Sequence, residues 1–211
     1  METWAVIVAA GGGTRFGAAK QFVTLAGTGI LDRSTATAAE VCDGVVVVLP
    51  ADADWMAPVG VRTVPGGATR SDSVRAGLAA VPESADIVAV HDAARPLATR
   101  RLWETVIAAV RGGADAAVPG VAIADTVKRV REDRIVETVS RDDLVVVQTP
   151  QVFRASVLRA AHVVGGVGTD DAALVEAGGG TVVVVPGEAT NLKITQPDDM
   201  ALAEAIVAAR T

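Results

Sequence analysis

Two cations stand beside a run of glycines near the start of the chain. The stretch from Trp4 to Phe22, W-A-V-I-V-A-A-G-G-G-T-R-F-G-A-A-K-Q-F, reads as a buried strand over 4–10, followed by Gly11, Gly12 and Gly13, then Arg15, Gly17 and Lys20. Glycine lets a backbone turn sharply and bring bare N–H groups close to an anion. Arg15 and Lys20 add full positive charge beside those amides. Such a loop is suited to holding a polyphosphate. It matches neither common phosphate loop. Phe16 stands where a dinucleotide turn needs its third glycine, and Ala18 stands where a P-loop needs its lysine. A plain glycine-rich turn is the alternative, but a mere turn has no use for the two cations.

Further clusters with chemical potential lie downstream. Gly66-Gly67-Ala68-Thr69-Arg70-Ser71-Asp72-Ser73 is a glycine turn entering a helix, able to meet a base edge through backbone groups and a hydroxyl, or simply to cap that helix. Val90-His91-Asp92-Ala93-Ala94-Arg95-Pro96 follows an apolar run. His91 alone fits a packed core histidine; Asp92 and Arg95 at a strand end are harder to dismiss, because open sheets carry function there. Thr138-Val139-Ser140-Arg141, Gln148-Thr149-Pro150-Gln151 and Thr169-Asp170-Asp171 follow, the last consistent with helix capping. Asn191-Leu192-Lys193-Ile194-Thr195 puts a lysine in a short extended run, where an edge charge is the ordinary role.

The elements that must position these groups alternate. Strands are predicted over 44–50, 86–91, 114–118 and 181–186, and helices over 31–41, 72–81, 99–111, 153–164, 170–177 and 197–210. Thr99 and Thr169 are the expected N-caps, with Gly112 and Gly178 as stops. The alternation predicts an α/β fold with a mainly parallel sheet between helical layers, and ligands at the carboxyl ends of the strands. The charged, alternating segment 126–139 breaks the pattern. It reads as an exposed two-stranded arm turning at Glu132-Asp133, ordered by another subunit or left as a solvated edge hairpin.

Composition narrows the function. A length of 211 residues suits one domain, 1–211, with the arm at about 122–146 inside it. A net charge of −6 argues against nonspecific nucleic-acid binding, so any anion site must concentrate its cations locally. Only Lys20, Lys128 and Lys193 are lysines among nineteen basic residues, which suggests lysine is kept where a compact ammonium is wanted. The single Cys42 permits no internal disulfide, and His91 and His162 with it make no zinc site unless carboxylates join. No apolar run approaches the ~20 residues of a membrane span, and the acidic N-terminus is not that of a signal peptide, so the cytoplasm is the expected compartment.

Taken in order, the runs A-A-G-G-G-T-R, K-Q-F, G-G-A-T-R-S-D-S-V, V-H-D-A-A-R-P, A-D-T-V-K, T-V-S-R, Q-T-P-Q-V-F, T-D-D-A and N-L-K-I-T-Q-P-D-D closely resemble the 2-C-methyl-D-erythritol 4-phosphate cytidylyltransferase family over nearly the whole chain. The resemblance implies a nucleotide-diphospho-sugar transferase-like, three-layer α/β/α fold with a protruding β-arm. It also implies a reaction of CTP with a sugar-alcohol phosphate, releasing pyrophosphate, Mg²⁺ held mainly by the CTP phosphates rather than by protein ligands, and a homodimer built through the arm. By position, Arg15 and Lys20 match the pair that stabilises charge on the triphosphate, and Arg141 and Lys193 the pair that positions the acceptor phosphate. Asp92, Arg95, Thr126 and Thr149 match acceptor positions, Ala9, Ala10, Gly67 and Ser73 surround the cytosine, and Gly11, Gly12 and Gly13 complete the CTP loop. The residues matching Thr126 and Arg141 serve the partner subunit's site in that family.

Two departures stand out. Four residues separate Arg15 from Lys20, fewer than the family commonly has, and Ala19 replaces a proline. Ala68 stands where an acidic residue can occur. The chain ends soon after its last expected helix, from which no fused second enzyme is expected. A ribitol 5-phosphate type of cytidylyltransferase and a non-catalytic nucleotide-binding module are the rival readings.

Overall fold

The computed structural model describes residues 1–11, 20–163, 168 and 170–210, with the backbone alone at Lys20. Gly12, Gly13, Arg15 and the Lys20 side chain, all expected at the phosphate loop, lie outside the described residues, as does Thr169.

The chain begins with β1 (Thr3–Val8), then a 3-10 turn at Lys20–Phe22, a small hairpin of β2 (Thr24–Leu25) and β3 (Thr28–Gly29), and α1 (Ile30–Val41). β4 (Gly44–Leu49), β5 (Val61–Pro65), α2 (Arg70–Ala80), β6 (Ile87–Asp92) and α3 (Arg100–Arg111) follow. After β7 (Ala116–Ala122) the chain makes the hairpin of β8 (Val127–Arg131) and β9 (Arg134–Val139) and returns through β10 (Val145–Val147) and β11 (Gln151–Arg154). α4 (Ala155–Val163), α5 (Asp171–Ala177), β12 (Val182–Pro186) and α6 (Asp198–Arg210) complete it.

Eight strands form one sheet in the order β10-β7-β11-β6-β1-β4-β5, with β12 also paired to β7. β1 is parallel to β4 and β6, β4 to β5, and β7 to β12, while β10 and β11 run antiparallel to their neighbours. The central strands are valine-rich because both of their faces are covered. Successive residues point to opposite faces, and the core divides accordingly. Ala5, Ile7, Val45 and Val47 pack with Leu31, Leu102, Trp103 and Val106 of α1 and α3. Trp4, Val6, Val46 and Val48 pack with Val74, Leu78, Leu158 and Val175 of α2, α4 and α5. The three-layer arrangement is thus written into the two alternating faces of β1 and β4. A smaller cluster, Leu25, Ile30, Leu97, Ile194 and Ala203, seats α6 and the segment before it.

The structure corrects several sequence-based boundaries. Val61–Pro65 is a strand at the sheet edge that the sequence did not announce, since its alternation is short and half polar. Arg62 there lays its guanidinium over the Trp4 ring, 4.7 Å from the centroid. The helix expected from Phe153 starts at Ala155, because Gln151–Arg154 is drawn into the sheet between β6 and β7 and Phe153 is buried. Asp170 caps α5 by accepting the Ala173 N–H, the role expected of Thr169. Thr99, Gly112 and Gly178 stand at the helix ends as expected. The hairpin turns at Glu132 (φ 46°) and Asp133 (φ 64°), the two positive values that a two-residue I′ turn requires. No helix among the described residues is long and apolar enough to cross a membrane.

Helix α2 approaches the sheet closely at Gly77, where an added Cβ would stand 2.4 Å from Val6 Cγ1 and 3.0 Å from Val48 Cγ2. Alanine is the better helix former by about 1 kcal/mol, yet overpacking against two buried valines costs about 1–3 kcal/mol. Gly77→Ala should therefore lower stability in urea denaturation, and an increase would mean the helix can back away from the sheet.

Candidate active site

The candidate residues gather at the carboxyl ends of β1, β4, β5 and β6. Ala9 donates its N–H to Val48 O at 2.8 Å, Gly66 donates to Leu49 O at 2.7 Å, and Ala93 donates to Val8 O at 3.1 Å, so the loops leave the sheet in register. Gly66 must be glycine: its Cβ would stand 2.3 Å from Ala10 Cβ and 2.9 Å from Ser73 Oγ. Gly67 donates its N–H to Ser73 Oγ at 3.2 Å, and Ser73 donates to Thr69 O at 3.0 Å. Ala10, the glycine pair and Ser73 are thus packed together at the strand ends, with Ala9 buried and Gly11 exposed. Helix α2 is fixed by a reciprocal cap, Asp72 N–H to Thr69 Oγ1 and Thr69 N–H to Asp72 Oδ2, both 3.0 Å.

A second group stands at the end of β6. The Asp92 carboxylate is nearly buried and faces two cations: Oδ2 accepts from Lys193 Nζ at 2.6 Å and Oδ1 from Arg70 Nε at 3.2 Å. Arg70 Nη1 also reaches Asp171 Oδ2 at 2.8 Å, and Asp171 Oδ1 meets His162 Nε2 at 3.0 Å. Burial by itself would raise the Asp92 carboxyl. The charges of Arg70 and Lys193, with the hydrogen bond from Lys193, outweigh it and hold Asp92 well below the usual carboxylate range.

His91 is wholly buried beside Trp103, ring centroids 5.0 Å apart. Its Nε2 lies 3.2 Å from Arg95 O, which can only accept, so the proton belongs on Nε2. Nδ1 then accepts from Thr149 Oγ1 at 3.1 Å, and that hydroxyl in turn accepts the Asp92 N–H at 3.1 Å. Burial pushes the imidazole down to about 4, the Asp92 charge opposing. His91 is therefore a neutral scaffold for the Asp92 backbone, and Thr149 acts here through the same chain of bonds.

The segment carrying Lys193 is clamped from two sides. Between the pairs Val147–Gly120 and Val152–Ala117 the returning chain uses residues 148–151 where β7 uses only 118–119. In that bulge, which contains the cis Thr149–Pro150 peptide, Gln148 donates to Glu188 O at 2.8 Å and accepts the Glu188 N–H at 3.2 Å. Asn191 donates to Thr149 O at 3.0 Å, Arg95 Nη1 to Asn191 O at 2.7 Å, and Ile194 N–H to Ala94 O at 2.8 Å. Arg95 Nε is buried with no hydrogen-bond partner among the described residues.

Thr126 and Arg141 flank the hairpin, are exposed, and make no side-chain hydrogen bond or ion pair with any described residue of this chain. The structure therefore brings Ala10, Gly67 and Ser73 together, and Asp92, Arg95, Thr149 and Lys193 together, but leaves Thr126 and Arg141 apart from both groups. Of the two lysines with described side chains, Lys193 joins the site, while Lys128 donates to Thr138 Oγ1 at 2.6 Å on the hairpin. Lysine scarcity was thus only a partial guide. Arg70, Asp171, Gln148 and Asn191 were not picked as site residues. One signal was available: a cation in the first turn of a helix opposes the helix dipole and needs another reason to be there.

A family model for 2-C-methyl-D-erythritol 4-phosphate cytidylyltransferase (IspD) matches residues 3–209. The chain belongs to this family. A 2-C-methyl-D-erythritol 4-phosphate cytidylyltransferase from Frankia casuarinae is 44% identical over 97% of the chain and 80% of its own length. The crystal structure of the enzyme of that name from Thermus thermophilus superposes with a TM-score of 0.87 at 38% identity, covering 99% of this chain and 100% of the other. A bifunctional enzyme IspD/IspF from Nitratidesulfovibrio vulgaris is 40% identical over 97% of the chain. The chain spans only 58% of that bifunctional relative's length.

His91 stays neutral in the fold but takes up a proton in the unfolded chain below pH ~6.5. Its contribution is whole above that pH and is lost as pH falls towards its folded value of about 4. Stability should fall by on the order of 3 kcal/mol across this window, and His91→Gln should flatten the loss. An equal slope in both proteins, measured by urea titration at each pH, would assign the effect to other groups.

Proposed function

We propose that this chain transfers the cytidylyl group of CTP to the phosphate of 2-C-methyl-D-erythritol 4-phosphate, releasing pyrophosphate, as a cytoplasmic step in isoprenoid precursor synthesis. The observation that carries the reading is the placement, at adjoining strand ends, of the Ala10–Gly67–Ser73 group and the Asp92–Arg95–Lys193 cluster in a chain of this family. The first group presents backbone groups and a hydroxyl, the kinds of contact that suit a base edge. The second supplies positive charge for a phosphorylated acceptor in a protein whose net charge is −6.

An acceptor phosphate oxygen attacks the α-phosphorus of CTP. The new P–O bond forms as the α–β bridging bond breaks, and pyrophosphate leaves with the electron pair. The phosphate is already anionic at neutral pH, so no general base is required. The work is to hold two anions together and to meet developing charge; positioning supplies about 7–11 kcal/mol of such a barrier. Arg15 and Lys20 are assigned to the triphosphate, Arg141 and Lys193 to positioning the acceptor phosphate, with Arg95 beside them in the acceptor site.

Mg²⁺ belongs to the proposal as a companion of CTP, neutralising triphosphate charge when bound. Asp92 is already held by two cations, and no cluster of three His, Cys, Asp or Glu among the described residues could take a metal ion. Phosphate and water ligands therefore suit it better than a protein cage.

A homodimer is also part of the proposal. Thr126 and Arg141 lack side-chain partners among the described residues of their own chain, and Val130, Ile135 and Val136 of the hairpin are 55%, 65% and 52% exposed. Both features suit a hairpin that packs on a second copy and completes its acceptor site.

Pyrophosphate release on adding CTP, Mg²⁺ and 2-C-methyl-D-erythritol 4-phosphate is the decisive assay, with ribitol 5-phosphate as the competing acceptor. Preference for the latter would reassign the acceptor, and no release with either would leave a nucleotide-binding module. Arg15→Ala and Lys20→Ala should each lower kcat by about 100-fold or more with smaller effects on KM; a pure KM effect would contradict their role. Arg141→Ala should raise the acceptor KM while calorimetry shows CTP affinity within about threefold of wild type. A collapse of CTP affinity would move Arg141 to the nucleotide.

A further inference from the structure

We propose that Arg70 is a positioning residue that keeps Lys193 free to engage the acceptor phosphate; the identity of that phosphate rests on the transfer reading above. Asp92 offers one oxygen to each cation, Oδ1 to Arg70 and Oδ2 to Lys193. The two cations differ in freedom. Arg70 is tied through Nη1 to Asp171, whose other oxygen is taken by His162, and the side chains of Asp171 and His162 are only 1% and 3% exposed. Lys193 is the loose end of the chain of charges: its side chain is 39% exposed, and Asp92 takes one of its three protons.

A lone Asp92–Lys193 pair would resist exchange. Turning the ammonium to a phosphate would strand a nearly buried carboxylate without a counter-charge, which is costly. Arg70 removes that obstacle, because Asp92 keeps one fixed cation whichever way Lys193 points. The location of Arg70 fits this role and no local one. It opens α2, where the helix dipole disfavours a cation, and the Thr69–Asp72 cap satisfies the helix without it. The planar guanidinium reaches Asp92 and Asp171 with separate nitrogens, a geometry a single ammonium lacks.

Lys193 can be followed without substrate by acetylating the intact protein and reading each lysine peptide by mass spectrometry. In Arg70→Gln the whole charge of Asp92 falls on Lys193, so its labelling relative to Lys128 should slow by about threefold or more. In turnover, Arg70→Gln should lower kcat by about thirtyfold or more while the CTP KM stays within about threefold. Arg70→Lys should recover part of that loss. Asp171→Asn leaves the Arg70 guanidinium to Asp92 alone, so it should instead speed Lys193 labelling relative to Lys128, and it serves if Arg70→Gln folds poorly. An unchanged Lys193:Lys128 labelling ratio in both Arg70→Gln and Asp171→Asn would overturn the proposal, as would a CTP KM that rises in step with the fall in kcat. A wild-type protein that releases no pyrophosphate while the labelling shift persists would sink the transfer reading and leave the charge link standing.

Discussion

A carboxylate buried at the end of a parallel strand must be given positive partners, and Asp92 is given two. Burial opposes its charge; Arg70 and Lys193 overcome that opposition. The consequences spread outward. Arg70 draws in Asp171, and Asp171 Oδ1 meets the His162 ring, so α2, α5, β6 and the segment before α6 are joined by one series of ion pairs that a histidine on α4 closes. Removing a cation would leave a nearly buried carboxylate short of counter-charge, which makes the series a constraint on the whole carboxyl end of the sheet.

Backbone geometry around that carboxylate is held by neutral groups. His91, with its proton fixed on Nε2 by the Arg95 carbonyl, leaves Nδ1 to orient the Thr149 hydroxyl, which accepts the Asp92 N–H. A charged imidazole could not take that hydroxyl proton. Gln148 and Asn191 do similar work for the segment that carries Lys193. The antiparallel β11 makes this possible, since it brings residues 148–151 to the edge of the site as a bulge between two paired strands. Charge and scaffold are thus divided between different residue types: ions face the site, and amides, hydroxyls and a neutral histidine fix where those ions stand.

The hairpin between β7 and β10 obeys a different logic. Among the described residues its strands pair only with each other, and its apolar side chains remain exposed in the single chain. Its two ends carry Thr126 and Arg141, whose side chains join neither group of site residues in their own chain. A second copy seated on the hairpin, as proposed, would account for both facts with one interface.

Local chemistry made much of the fold readable from the sequence. Val-rich runs and helical periods pointed to the parallel α/β layers, because hydrophobic spacing reports burial directly. Thr99, Gly112, Gly178 and the Glu132-Asp133 turn could be placed because capping and turn formation are local. The family runs marked Asp92, Arg95, Thr149 and Lys193 as candidates, and the tertiary structure brought them together. β5 and β11 were not legible, since a short edge strand and a strand running straight into a helix leave weak periodic signals. Nor was the union of Arg70 with Asp92 and Asp171, residues 22 and 101 positions away in the chain. The sequence by itself determined which residue types were present and which local elements they would form. Which charges would meet was decided only when the sheet order set distant strand ends side by side, because Coulombic partners are chosen by distance in space.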